Sequence, residues 1–299
     1  MKSKHQQVRK SNLLLACLPL CLASAAALYM PVAQAMDDAT TPPPGLYHLA
    51  YLLNYRVSDF RLPGTEQRLS GDNRATVTTV INRVIWISDW KVLGADYGVD
   101  FIAPITRTSL KFNSFGLQES STGVGDVYLG PLILGWHTPR WDVSVGAGWW
   151  LDNGRSGGLA DPGRGYKTAS INGGGTYYLD EGRTASASAM LHLERNGKND
   201  VGFRFGNNLK IDWGVGKRWG LLQAGVVGYS QWQLTDDSGP AALTGAHSAH
   251  HAAGAQVSYI FWPQKAMLRA AFFREFNVRA GSGLATRGNL LRLTWIKAF

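Results

Sequence analysis

Leu291-Arg292-Leu293-Thr294-Trp295-Ile296-Lys297-Ala298-Phe299 is the stretch whose reading decides the fold. Leu291, Leu293, Trp295 and Phe299 share one parity, and Arg292 and Thr294 take the other. Side chains of a strand alternate between its two faces, so this run describes a strand with one apolar and one polar surface. Lys297 is the single departure on the apolar parity.

The same alternation recurs upstream. Leu93, Ala95, Tyr97, Val99 and Phe101 oppose Gly94, Asp96, Gly98 and Asp100. Trp141, Val143, Val145, Ala147, Trp149 and Leu151 oppose Asp142, Ser144, Gly146 and Gly148, and Leu209, Ile211, Trp213 and Val215 oppose Lys210, Asp212, Gly214 and Gly216. The pattern predicts twelve strands: 45–57, 75–87, 92–103, 125–137, 141–151, 166–179, 184–194, 202–215, 219–232, 250–262, 265–277 and 287–298. The second and fourth alternate poorly. Short turns near 88–89 and at 137–140, 179–182, 216–218 and 262–264 separate longer links at 58–74, 104–124, 152–165, 195–201, 233–249 and 278–286. Tight turns at one end and long loops at the other are the plan of an outer-membrane barrel, and an even strand count brings both chain ends to the same side. A soluble Greek-key sandwich has no reason to sort its links by length.

The opposite end of the chain carries an export signal. Lys2, Lys4, Arg9 and Lys10 form a basic start, 13–28 is largely apolar, and Val32-Ala33-Gln34-Ala35 reads as a cleavage site. Leu14-Leu15-Ala16-Cys17 only loosely resembles a lipoprotein box, because the apolar run before Cys17 is short. Both cysteines, Cys17 and Cys21, fall inside the leader, so cleavage leaves no disulfide and no thiol chemistry. The formal charge of +9 drops to about +5 once four leader cations go (9 − 4), and the remaining basic residues are dispersed, so nucleic acid is not an expected partner. The expected divisions are a signal peptide over 1–35, an extended, exposed Pro-rich periplasmic tail over 36–44, and a barrel over 45–299. With the leader in place, Trp295 and the terminal Phe299 resemble the insertion signal that the bacterial barrel-assembly machinery reads.

Lipid offers no hydrogen-bond partners, so the sheet must close, with its apolar parity toward hydrocarbon and its polar parity toward the lumen. Trp86, Trp90, Trp136, Trp141, Trp219, Trp262, Tyr177 and Tyr178 all lie beside short turns, the placement of an interfacial aromatic girdle. The expected architecture is all-β: a transmembrane antiparallel up-and-down β-barrel of about twelve strands in the outer membrane, following a cleaved signal peptide.

Gly123-Val124-Gly125-Asp126-Val127-Tyr128-Leu129-Gly130-Pro131-Leu132-Ile133-Leu134-Gly135-Trp136-His137 resembles a segment of the outer-membrane family named for the MetA pathway of phenol degradation. Residues 45–59, Val92-Leu93-Gly94-Ala95-Asp96-Tyr97-Gly98 and Thr176-Tyr177-Tyr178-Leu179-Asp180 agree with it in order. The resemblance implies a channel-like barrel linked to passage of aromatic or other hydrophobic compounds, with no catalytic residues and no cofactor. Its implied partners are outer-membrane lipid, the insertion machinery and small hydrophobic or aromatic solutes.

Expected lumen-facing groups are Arg56, Arg83, Asp96, Asp100, Asp126, Asp142, His192, Glu194, Arg204, Asp212, Arg269 and Arg292, with His48, Asn54, Asn172, Lys210, Gln223, Gln256 and Glu275 among the further polar positions. The mixed signs fit either an ion-pair network that fills and stiffens the barrel or a polar solute path, and they disfavour a strongly charge-selective porin. Gly154, Gly157, Gly158, Gly163 and Gly165 suggest that 152–165 folds inward as a constriction. His247, His250 and His251 have no nearby cysteine or acid to complete a metal site. An outer-membrane hydrolase built on His137 or His192 is a competing reading, but neither has a serine at a motif spacing. A plugged, purely structural barrel is the other.

Overall fold

The computed structural model describes Met36 and residues 39–299. The leader with Cys17, Cys21 and the cleavage site lies outside the described residues, as do positions 37 and 38. Thirteen antiparallel strands follow: β1 Gly45–Arg61, β2 Asn73–Val92, β3 Ala95–Phe112, β4 Leu117–Val124, β5 Tyr128–His137, β6 Trp141–Trp150, β7 Thr168–Tyr178, β8 Ala185–Asn196, β9 Asn208–Trp219, β10 Leu222–Gln233, β11 Ala249–Phe261, β12 Ala266–Glu275 and β13 Ala285–Ala298. Each strand pairs with its neighbours in sequence, except that β3 is shared. Its first half pairs with β5 and its second half with β4. Pairing of β1 with β13 closes the ring, so twelve strands form the wall and β4 extends it at one point.

The strand that decides the fold sits at this seam. Leu52 lies opposite Leu293, and Ala50 opposite Trp295. Outward positions are apolar and exposed: Leu46, Leu52, Val84, Phe101, Val143, Trp149, Leu191, Val226, Val257, Leu268, Leu291 and Leu293. Inward positions include Asp100, Asp142, Ser188, Lys210, Asp212, Gln256, Arg269, Arg292 and Thr294, all buried. A greasy exterior around a polar interior is stable only against hydrocarbon. Trp86, Trp90, Trp141, Trp219 and Trp262 are exposed at the short-turn end, as the girdle requires. Tyr178 is not among them: it is buried, and its hydroxyl donates to Asp142 Oδ2 at 2.6 Å.

Three sequence expectations change. The link 104–124 is no loop, because β3 runs on to Phe112 and turns back as β4 through a single 3₁₀ turn, Asn113–Phe115. Its residues, Thr106, Thr108, Ser109, Ser120 and Thr122, are mostly hydroxylated and β-branched, and they suit a strand even though they lack apolar alternation. The first strand is apolar on both faces. Leu49, Tyr51, Leu53, Tyr55 and Val57 point inward, which turns Asn54 and Arg56, with His48, to the outside. Finally, the described part of the lead-in is exposed only at Pro43 and Pro44. Met36, Ala39 and Thr41 are buried within the short-turn mouth of the barrel.

A charge at the lipid-facing centre of the seam should cost more than one at its rim. Leu293→Arg is expected to lower stability by roughly 2–4 kcal/mol, and Asn289→Arg by about 0–1 kcal/mol, in denaturant titrations of folding into lipid vesicles.

Candidate functional site

The lumen is divided into compartments, and each divider is a named group of residues. At the short-turn mouth the tail forms the first. Thr41 Oγ1 lies 3.1 Å from His137 Nε2, and Thr40 Oγ1 donates to Thr176 Oγ1 at 3.1 Å. His137 Nδ1 is 3.0 Å from Asp142 Oδ1, which also receives a hydrogen bond from Arg183 at 2.5 Å. Asp96 joins the cluster, 3.5 Å from His137 Nε2 and paired with Lys91. The Met36 side chain packs against Gly216 and Gly225, where a Cβ would collide with its sulfur.

Above the tail lies a cavity of ≈ 280 Å³. Leu49, Ile85, Ile87, Ile133, Met190, Met267 and Ile296 supply an apolar lining, while Asn172, Tyr128, Arg83, Asp100 and Arg269 supply a few polar groups. Arg83 and Asp100 hold each other in a two-pronged pair, with Nε 3.0 Å from Oδ1 and an Nη 2.8 Å from Oδ2. That pairing neutralises two of the lining charges, Arg269 adds a guanidinium that donates to Ser258 Oγ at 3.3 Å, and Asn172 Oδ1 is buried there without a partner.

On the long-loop side, past Tyr128 of the cavity lining and the Trp150 ring it packs against, the segment 152–165 brings Pro162 and Arg164 into the barrel. The glycines act here by permitting close approach more than by flexibility: a Cβ on Gly154 would meet Gly163 Cα at 2.8 Å, and one on Gly163 would meet Gly154 O at 2.4 Å. Asp126 pins the segment by accepting hydrogen bonds from the backbone N–H of Gly154 and of Arg164, at 3.0 and 2.8 Å. The Arg164 guanidinium pairs with Asp126 at 3.3 Å and lies over the rings of Trp150 and Tyr166. Two small pockets of ≈ 40 and ≈ 50 Å³ flank it, and Arg164 lines both. At the outer surface, burial raises the Asp161 carboxyl, but the Gly158 N–H, Arg155 and Ser121 outweigh it and hold Asp161 below the usual carboxylate range.

Beyond Arg164 the polar network continues. Lys210 pairs with Glu194 at 2.8 Å, and His192 lies 3.4 Å from Asp212. Tyr55 and Tyr229 both donate to Glu275, at 2.6 and 2.8 Å, and His250 is 3.8 Å from the same carboxylate. Arg292 donates to Gln256 at 2.7 Å and lies over the ring of Phe273.

Of the residues expected in the lumen, Arg83, Asp96, Asp100, Asp126, Asp142, His192, Glu194, Asp212, Arg269 and Arg292 lie on the inner parity or at its mouths. Arg56 does not: it is exposed on the outer wall. Arg204 does not either. It belongs to the loop before β9, where its Nε donates to Asn196 O at 2.9 Å, because the strand begins later than its alternation suggested. Trp295 and Phe299 are exposed on the outer face and at the chain end. Sequence reading missed Arg164 and the tail, since neither lies on an alternating run. The apolar lining was hinted at by the poor alternation of β2. The structure also pairs Ser230 Oγ with His251 Nδ1 at 3.0 Å on the outer wall.

A family model described as "Putative MetA-pathway of phenol degradation" matches residues 57–292. No curated protein matches in sequence. The crystal structure of an outer membrane channel from Pseudomonas putida F1 is similar at TM-score 0.78 with 13% identity, covering 90% of this chain and 100% of that one. The CymD monoaromatic hydrocarbon channel gives 0.47 with 10% identity over 86% and 89%, and the transport unit of the autotransporter AIDA-I from Escherichia coli gives 0.49 with 11% identity over 95% and 99%.

Asp126→Ala strands a buried guanidinium and two loop N–H groups. It is expected to cost about 3–5 kcal/mol in denaturant unfolding and to open 152–165 to proteolysis while the wall stays protected.

Proposed function

The chain belongs to the MetA-pathway phenol-degradation family, and from that membership we propose that this outer-membrane barrel is a channel-like conduit for small aromatic or other hydrophobic solutes. The observation that carries the reading is the ≈ 280 Å³ chamber with its mainly aliphatic and thioether lining. Apolar cavities on the order of 150 Å³ already take up benzene. Desolvating an aromatic ring against Ile85, Ile133, Met190 and Met267 is favoured by the hydrophobic effect. Asn172 offers a solute hydroxyl an acceptor, and the Arg83–Asp100 pair offers no net charge to attract an ion. The narrow, mixed-sign path beyond Arg164 fits small neutral solutes better than ions.

The conformation described is the closed one, since the tail occupies the inner mouth. Lys91, Asp96, Asp142 and Arg183 are engaged with one another or with His137, and the described residues of the tail seat on this mouth at Thr40, Thr41 and Met36.

The reading as an outer-membrane hydrolase has one observation in its favour, the Ser230–His251 contact on the outer wall. Its neighbours are rings, with Trp232 and Phe276 against His251, and no carboxylate pairs with that imidazole among the described residues. A Ser–His pair without an orienting acid or amide lacks the third member that fixes the tautomer.

Uptake by an exporting bacterium with and without the protein, compared across aromatic, alkane and small polar solutes, tests the proposal. Deleting 36–44 is expected to raise single-channel conductance and aromatic uptake several-fold, and equal traces would show the tail to be a bystander. Met190→Arg should depress uptake of aromatics by about tenfold, because it replaces apolar lining with a long charged side chain that fills the chamber beside Asp212. Ser230→Ala should leave that uptake as it was.

A further inference from the structure

The outward faces of five adjacent strands end, on the long-loop side, in cations. The register arranges them in rows. Ala270, Leu293, Leu52, Val80 and Ile105 form an apolar row across β12, β13, β1, β2 and β3. Two residues toward the loops the row reads Phe272, Leu291, Asn54, Thr78 and Arg107. Two further on it reads Arg274, Asn289, Arg56, Thr76 and Ser109, and above that Arg74 faces Lys111. Arg287 stands two residues beyond Asn289 on β13. At ~3.3 Å per residue, Arg107 lies about 7 Å and Arg56 and Arg274 about 13 Å above the apolar row.

All six cations are exposed. Arg74 is paired with Asp72 at 3.0 Å and Arg287 with Asp59 at 2.5 Å. Arg56 donates only to Asn54, at 2.9 Å. Arg107, Lys111 and Arg274 make no ion pair among the described residues, and the three lower rows hold no acid. Elsewhere on the same rim, β10 and β11 present Trp232 and His251, and Arg195 of β8, with Lys167 nearby, forms a smaller second group, so the five-strand sector holds the longest run of outward cations.

We propose that this sector binds the phosphorylated headgroup of a glycolipid in the outer leaflet, with the acyl chains laid along the Ala270–Leu293–Leu52–Val80–Ile105 row. Position carries the assignment. Guanidinium groups directly above hydrocarbon meet lipid phosphates at bonding distance, and a planar fork grips phosphate through two parallel N–H···O bonds. Arg56 and Arg274 sit two strand spacings apart, roughly 10 Å, wide enough for two phosphates on one sugar core. Each cation brought against an anionic leaflet adds attraction of its own, and the unpaired ones contribute without first breaking an ion pair.

The test is lipid retention by the purified full-length protein in detergent, read by native mass spectrometry. The probes are bisphosphorylated lipid A, the same lipid stripped of both phosphates, and inorganic phosphate. Wild-type protein is expected to hold the phosphorylated lipid roughly tenfold or more better than the stripped one. Arg56→Gln, Arg107→Gln and Arg274→Gln combined should erase that preference, the three Lys replacements should retain part of it, and equimolar inorganic phosphate should displace nothing. Equal retention of both lipids by the wild-type protein overturns the proposal without reference to any variant. So does a Gln triple variant that still prefers the phosphorylated lipid. Displacement by equimolar inorganic phosphate would mark a general anion site and overturn the lipid assignment.

Discussion

In a bilayer, an unpaired backbone N–H or C=O has nowhere to turn, and every other feature of this molecule follows from that constraint. It forces β1 onto β13 and closes the ring. Closure then sorts the side chains, since the band of wall that faces hydrocarbon cannot carry charge and the charges between its rims must turn inward. Asp100, Lys210, Glu194 and Arg292 are buried and Arg83 is half-buried, and each is answered by an opposite charge, an amide or an aromatic face. Such pairs add little net stability, but each member is costly to strand. The network therefore works as a partition, setting where a solute can and cannot rest.

Against that polar background the apolar chamber is the anomaly. β1 is apolar on both faces, and β2 contributes Ile81, Ile85 and Ile87 inward. A barrel meant only to be filled by ion pairs has no use for a greasy inner sector. A conduit for solutes that dislike water does, provided its ends can be shut against leakage. The tail lies across the short-turn end of the chamber, and farther toward the long loops Arg164 sits in the barrel on a segment pinned to Asp126.

Alternation in β3, β6, β8, β9 and β13 carried most of the architecture, because lipid on one side and ion pairs on the other impose strict parity. Where that opposition weakens, the reading slipped. β1 carries large apolar residues on both parities, and its polar ones, His48, Asn54 and Arg56, fall on the outer side, so parity read as polar-inward puts Arg56 on the wrong face. The outer half of β3 stands clear of hydrocarbon and loses alternation altogether, which disguised a hairpin as a loop. Arg164 is illegible for another reason: its role depends on Asp126, thirty-eight positions away, and on the rings of Trp150 at the end of β6 and Tyr166 in the loop before β7. Position along the chain says nothing of a contact made only after closure. The tail was misjudged on composition, since Thr and Pro are as compatible with a socket as with solvent.

The tail has a kinetic consequence. It precedes every strand in the chain, yet Thr41 meets a residue 96 positions later and Thr40 one 136 positions later. The Met36 contacts reach further still, to the β9–β10 hairpin. Non-local contacts of this span form late, because the intervening chain must be ordered first. The segment that precedes every strand is thus among the last to dock. During maturation the molecule passes through a stage with a completed wall and an unstoppered inner mouth.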